Sequence, residues 1–304
     1  MTRICLLLVF CITWGLASSA HARDGSHICQ ALVQKIQQAP GQEDARARSE
    51  FLFEAASLDC VELALRLLEQ GASAKARNRI GATALSIAAG KGSRDVASLL
   101  LKAGADLHHR DLNGATPLLR AARNGRRRMV RLLLKHGADP NSGDNNGVSP
   151  LMAAAFNGDL RMVGVFSKIV KDVDAQDKDG KVALIYAAGR AFPDIVEHLL
   201  EAGSAADGVW GNELTPLMWA AGHANDAPSS DGIKVVTLLS DAGVDINRRD
   251  NRGRTALMIA ATRGHTEMIE FLLKSGADRA LTDKKGLTAL ELSQSEAVSK
   301  LLSP

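Results

Sequence analysis

The chain has 304 residues, 46% of them hydrophobic and 23% charged, a globular composition that excludes a wholly disordered protein. Aromatics make up only 4%, so the core has to be built from Leu, Ala, Val, Ile and Met, a set that suits closely packed helices. The formal net charge of +3 is too near balance for overall charge to prescribe a partner.

From Met1 to Ala22 the chain carries one basic residue, Arg3, an apolar run from Ile4 to Leu16, and small residues ending in Ala20-His21-Ala22. This is the pattern of a secretory signal peptide (1-22) cleaved after Ala22. The apolar run falls short of the roughly 20 residues that span a bilayer. The predicted location is therefore periplasmic or secreted, and loss of Arg3 takes the net charge from +3 to +2. Two cysteines remain, Cys29 and Cys60; an oxidising compartment leaves open a disulfide or two buried free thiols. Over 24-38, Cys29, Leu32, Val33 and Ile36 share one helical stripe, which predicts an amphipathic capping helix within an N-terminal segment, 23-47, that covers the next unit.

From residue 48 the sequence repeats. GATAL at 81 is followed by GATPL at 114, GVSPL at 147, GKVAL at 180 and Thr215-Pro216-Leu217, a spacing of 33; Thr255 then comes 40 residues after Thr215, and Thr288 a further 33 on. A fixed period of this length means stacked supersecondary units with one insertion. The Thr or Ser caps the first helix, and Pro117, Pro150 and Pro216 occupy its first position, where no amide donor is needed. Paired alanines such as Ala121-Ala122 let helices approach closely, a Leu-rich second helix supplies bulk, and a glycine such as Gly137 ends it. Each unit reads helix, loop, helix, turn. The fold class is all-α, a solenoid of stacked helix-loop-helix units with β-turn fingers, about eight units over 48-304 with the first and last degenerate.

The landmarks GATPL at 114-118, Ala121-Ala122 and Gly137-Ala138-Asp139 resemble those of the ankyrin repeat. The resemblance implies an ankyrin-repeat solenoid of the secreted or periplasmic bacterial type. The His that usually follows Leu in the family is replaced by Ser86, Leu119, Met152, Ile185, Met218 and Met258. Val170 stands where a glycine should end a second helix, and Glu213 replaces a turn glycine; those two units are expected to depart from the regular form. At the far end Val298, Leu301 and Leu302 predict a short closing helix.

No HExxH, CxxC, GxSxG or phosphate-binding glycine loop is present, so no catalytic residue, metal site or cofactor is expected. His108, His109 and His265 read as structural residues of turns and bends. The resemblance places partners along the turn tips and exposed first-helix positions. There Arg77, Arg79, Lys91, Arg110, Arg123, Lys178, Lys181, Arg190, Arg249, Arg252, Arg254, Arg263, Lys284 and Lys285 stand against only Asp179 and Glu296. The predicted function is a non-catalytic, monomeric protein-protein interaction scaffold that binds an acidic protein through this basic inner face; the alternative is a binder of anionic polymers or lipid headgroups through the same residues. A second cluster, Arg120, Arg123, Arg126, Arg127, Arg128 and Arg131, would suit nucleic acid, which the leader argues against. The insertion near 223-232 reads as a loop, either a tolerated surface insertion or a lip against the partner; calcium binding by Asp226 and Asp231 is the lesser alternative.

Overall fold

The structure, a computed structural model, describes residues 22-38, 44-222 and 229-303. Within them the chain forms a capping helix, α1 (Ala22–Gln38), and eight helix pairs. The first helices of the pairs are α2 (Ala45–Leu58), α4 (Ala84–Lys91), α6 (Pro117–Arg123), α8 (Pro150–Phe156), α10 (Ala183–Gly189), α12 (Pro216–Ala221), α14 (Ala256–Arg263) and α16 (Ala289–Leu292). The second helices are α3 (Val61–Glu69), α5 (Arg94–Lys102), α7 (Arg127–Lys135), α9 (Leu160–Phe166), α11 (Pro193–Glu201), α13 (Ser229–Asp241), α15 (Thr266–Lys274) and α17 (Glu296–Leu302). No strand forms among the described residues beyond an isolated bridge between Trp210 and Leu214.

Local chemistry sets these boundaries. The hydroxyls of Thr83, Thr116, Ser149, Thr215, Thr255 and Thr288 accept the amide of the third residue of each first helix. Each such cap contributes about 1 kcal/mol. Val182 has no acceptor, and α10 starts without a side-chain cap. In six of the units the backbone is left-handed where the first helix turns into the second. Gly92 takes this place at φ 87°, while Asp59 at φ 57° and Ala191 at φ 54° adopt it despite their side chains.

Packing follows the same register. Ala88, Ala121, Ala154, Ala187, Ala220 and Ala260 have no exposed surface, and neighbouring first helices contact one another along the stack. Second helices from α3 to α15 bury residues at i, i+1 and i+4, such as Val96, Ala97 and Leu100, or Met129, Val130 and Leu133, while α17 buries only Val298 and Leu302. A fully buried Leu stabilises by roughly 1.5 to 3 kcal/mol. The positions that lack the family's histidine are buried without it, and five of the six carry apolar side chains into the core.

The irregular units depart as their sequences require. With Val170 in place of a glycine, α9 ends at Phe166 after 7 residues instead of the 9 of α5, α7, α11 and α15. The insertion corrects the loop expectation in part. Ser229 to Gly232 are the first turn of α13, which runs 13 residues; Asp231 near its start suits the positive end of the helix dipole. His223 to Pro228, including Asp226, lie outside the described residues. α1 lays Leu32 into the core with Cys29, Val33 and Ile36 against it, and Cys29 is joined to Cys60 by a disulfide. At the other end Val298 and Leu302 of α17 are buried.

Candidate partner-binding face

The fingers are built around a recurrent aspartate. One carboxylate oxygen of Asp111, Asp144, Asp177, Asp250 and Asp283 accepts the amides two and four residues on, at 2.8 to 3.0 Å; Asn78 does the same in the first finger. The amides of Leu112, Asn145, Lys178 and Lys284 reach the carbonyls of Ile80, Asn113, Asn146 and Arg252 in the preceding finger. Finger tips are thus hydrogen-bonded along the stack.

The second oxygen of four of these carboxylates gathers a group from a first helix or from its own finger. Asp111 receives Arg120, Asp144 receives Arg123, Asp250 receives Arg254, and Asp177 accepts the Tyr186 hydroxyl at 2.5 Å. Burial pushes the Asp144 carboxyl up, but the Arg123 bond and the amides of Val148 and Asn146 outweigh it and hold it below the ordinary range. Burial, followed by the bond to Asp177, raises the Tyr186 phenol far above its usual value.

These pairings divide the fourteen basic residues singled out in the sequence. Arg77, Arg79, Arg110, Lys178, Arg252, Arg263, Lys284 and Lys285 are exposed, as is Lys91 at the end of α4. Arg249 is exposed yet tied, its guanidinium donating to the carbonyls of Gly253 and Thr282. Arg123 and Arg254 are half-buried internal partners of finger aspartates. Lys181 pairs with Asp179 at 3.3 Å, and Arg190 lies 5.3 Å from the Phe156 ring centroid. Glu296 belongs to α17, where it pairs with Lys300, so it does not lie on a finger.

Sequence reasoning by charge misses the aromatic side chains on the same face. Phe156, 48% exposed, meets Tyr186 edge to face at 6.1 Å. Lys181 Nζ lies 5.5 Å from the Trp219 ring centroid. Tyr186 and Trp219 stand four residues after Val182 and Thr215 in their units, the place held by Ile87, Arg120, Ala153 and Ile259 elsewhere. That period was the available signal.

The remaining candidates are structural where they are described. His109 Nε2 donates to the Gly81 carbonyl at 2.6 Å, and His265 Nδ1 to that of Ala221 at 3.1 Å. In the second basic cluster, Arg127 is bound to Asp159 and Arg126 donates to the Gly90 carbonyl, while Arg128 and Arg131 are exposed. Asp231 pairs with Lys234. No group of three metal-ligating side chains gathers among the described residues.

A family model described as "Ankyrin repeats (3 copies)" matches residues 18-111, 104-168 and 152-250, and "Ankyrin repeats (many copies)" matches 239-293. Among curated proteins, "Ankyrin repeat domain-containing protein 63" of Mus musculus is 42% identical over 72 residues, 24% of this chain and 18% of that protein. "Ankyrin repeat and SAM domain-containing protein 6" of Mus musculus is 40% identical over 85 residues, 27% of this chain and 9% of the relative. "NAD-capped RNA hydrolase NUDT12" of Homo sapiens is 39% identical over 66 residues, 22% of this chain and 14% of that enzyme. In each case the likeness covers less than a fifth of the relative.

Proposed function

From the premise that the chain belongs to the ankyrin-repeat family, we propose that it is a non-catalytic scaffold of a periplasm or extracellular space that holds an acidic protein against its fingers and first helices. Ankyrin repeats are typically protein-protein interaction modules, and the fold alone names no partner. One observation carries the choice of an acidic partner. Finger aspartates such as Asp111, Asp177, Asp250 and Asp283 are buried behind their own turns, while Arg77, Arg110, Lys178, Arg252, Lys284 and Lys285 point to solvent. The face therefore shows a partner mostly cations and hides these recurrent aspartates, with Asp179 and Glu213 as exposed acids in the fingers. One-signed surfaces of this kind raise association rates by about 10- to 1000-fold at low salt, though each exposed pair contributes only about 0.2 to 1 kcal/mol. The leader-like first 22 residues and the Cys29–Cys60 disulfide support export.

The test is capture from a periplasmic extract with the parent chain and with a variant carrying Arg252→Glu, Lys284→Glu and Lys285→Glu. Arg249 and Arg254 stay unchanged because their bonds hold the fingers. Acidic proteins kept by the parent and lost by the equally folded variant support the proposal; identical sets on both baits remove the fingers as the binding site. Displacement by polyphosphate with no protein recovered would replace the acidic protein by an anionic polymer.

A further inference from the structure

Resting on the reading just given, we infer that the partner's binding segment carries an apolar side chain beside its carboxylates, and that this side chain docks between Trp219 and Ile259. A shallow cavity of about 320 Å³ opens there, lined by Met218, Trp219, Gly222, Ile259, Arg254 and Arg263 among others. Its size lies at the lower limit for small-molecule sites and suits one or two side chains of a peptide.

The residue types at this place exceed what the stack needs. Ala153 holds the equivalent position in the fourth unit and is buried in a well-packed first helix, so a bulky ring is no requirement of the fold. Trp219 is nevertheless kept half exposed. Two glycines make room for the large side chains: a Cβ on Gly189 would lie 3.3 Å from Trp219 Cε3, and one on Gly222 would lie 2.8 Å from Ile259 Cγ2. Each ring or branched side chain lies across the glycine of the preceding unit, and its outer surface stays open where Arg123, Phe156 or Thr262 stands in other units. A half-buried Trp beside arginines matches the residue types enriched at the hot spots of protein interfaces.

Charge then sets the neighbours of the anchor. Arg263 at the end of α14 is exposed, and Arg254 is turned into the rim by Asp250. Lys181 Nζ lies over the Trp219 ring, 5.5 Å from its centroid. Carboxylates placed beside the apolar anchor meet exposed Arg263 on one side and Lys181, which also pairs with Asp179, by the ring, whereas a lysine or arginine there meets like charge. The occupant is thus an acidic peptide segment with an aliphatic or aromatic anchor.

The experiment is selection from a random peptide library displayed on phage, with the full chain immobilised, followed by titration of the winning peptides. Enriched sequences should combine an apolar residue with Asp or Glu close by. Their affinity should fall at least about tenfold in Trp219→Ala and in Arg263→Glu, recover in Trp219→Phe, and stay within about threefold in Arg128→Glu, which lies away from this face. Thermal melting of each variant separates lost binding from lost folding. Acidic peptides without an apolar residue, weakened by Arg263→Glu but not by Trp219→Ala, would overturn the anchor and leave the acidic-partner reading intact. Apolar peptides with no acidic preference would overturn both, as would a selection that enriches nothing. Self-association of the parent that Trp219→Ala abolishes would assign the cavity to a second copy of the chain and overturn the inference.

Discussion

The Asp250 and Trp210 fingers perform the same turn with opposite chemistry. In the first, a buried carboxylate accepts the amides of Arg252 and Arg254, and Gly253 takes φ 79°. In the second, Trp210 stands where the aspartate should be and Glu213 takes the glycine's place at φ 61°. Both fingers share one backbone bond, from the Asp250 amide to the Arg254 carbonyl at 2.9 Å and from the Trp210 amide to the Leu214 carbonyl at 3.2 Å. With no carboxylate to accept it, the Leu214 amide donates back to the Trp210 carbonyl at 3.1 Å, and the indole enters the core at 8% exposure. Gly208 permits this, since a Cβ there would lie 2.0 Å from the ring. The turn is thus a demand of the stack that either a charged clamp or a buried ring can meet. The next finger still docks, the Asn251 amide reaching the Asn212 carbonyl at 3.1 Å.

The comparison breaks first at the ring. Trp210→Ala should cost about 3 to 5 kcal/mol, the range for a large aromatic truncated in a core, read as a lowered midpoint in urea unfolding. Asp250→Ala ranks second. It leaves two amides and Arg254 without their acceptor and should cost about 2 to 3 kcal/mol in the same assay; a loss as large as that of Trp210→Ala would mean the two fingers are not held by different forces.

Acid sharpens the contrast. The carboxyl of Asp144 is held below its ordinary value, so its stabilisation is complete above the unfolded value near 4 and is lost as pH falls through the folded one. Amide exchange at Asn146 and Val148 should therefore accelerate relative to Trp210 and Leu214 as pH falls below about 4. Equal loss of protection in the two fingers would show that the clamp contributes nothing specific. The smallest effect belongs to Glu213→Gly, which relieves a left-handed side-chain residue and should stabilise by about 0.5 to 1 kcal/mol, measurable as a raised Tm.

Most of the fold is legible in the sequence because each unit repeats the same local instructions: a hydroxyl cap, a pair of alanines, a left-handed glycine. The cap helix and the short closing helix are legible from their apolar stripes. What escapes a linear reading is pairing between units. Arg123 counts as a free cation by position, yet its partner Asp144 lies 21 residues on, in the next finger. Arg254 is claimed by an aspartate four residues before it, a spacing that reads as helical in a segment that is a turn. The first turn of α13 is hidden by Pro228, Ser229 and Ser230, whose composition favours a loop or the start of a helix equally well. Trp219 escapes a reading by charge because its place in the unit is held by Ile87, Arg120, Ala153 and Ile259 elsewhere, so only the position recurs and not the aromatic side chain.

The bond between Cys29 and Cys60, 31 residues apart, gives the solenoid a direction. Units in such a stack hold only their neighbours, so unravelling begins at an end. The cross-link holds the α1 end with roughly 3 to 4 kcal/mol on the chain-entropy account, while the last described pair is short, with 4 residues in α16 and 7 in α17. Among the described units, heat, force or protease should therefore open the pair formed by α16 and α17 before the fingers nearest the cap.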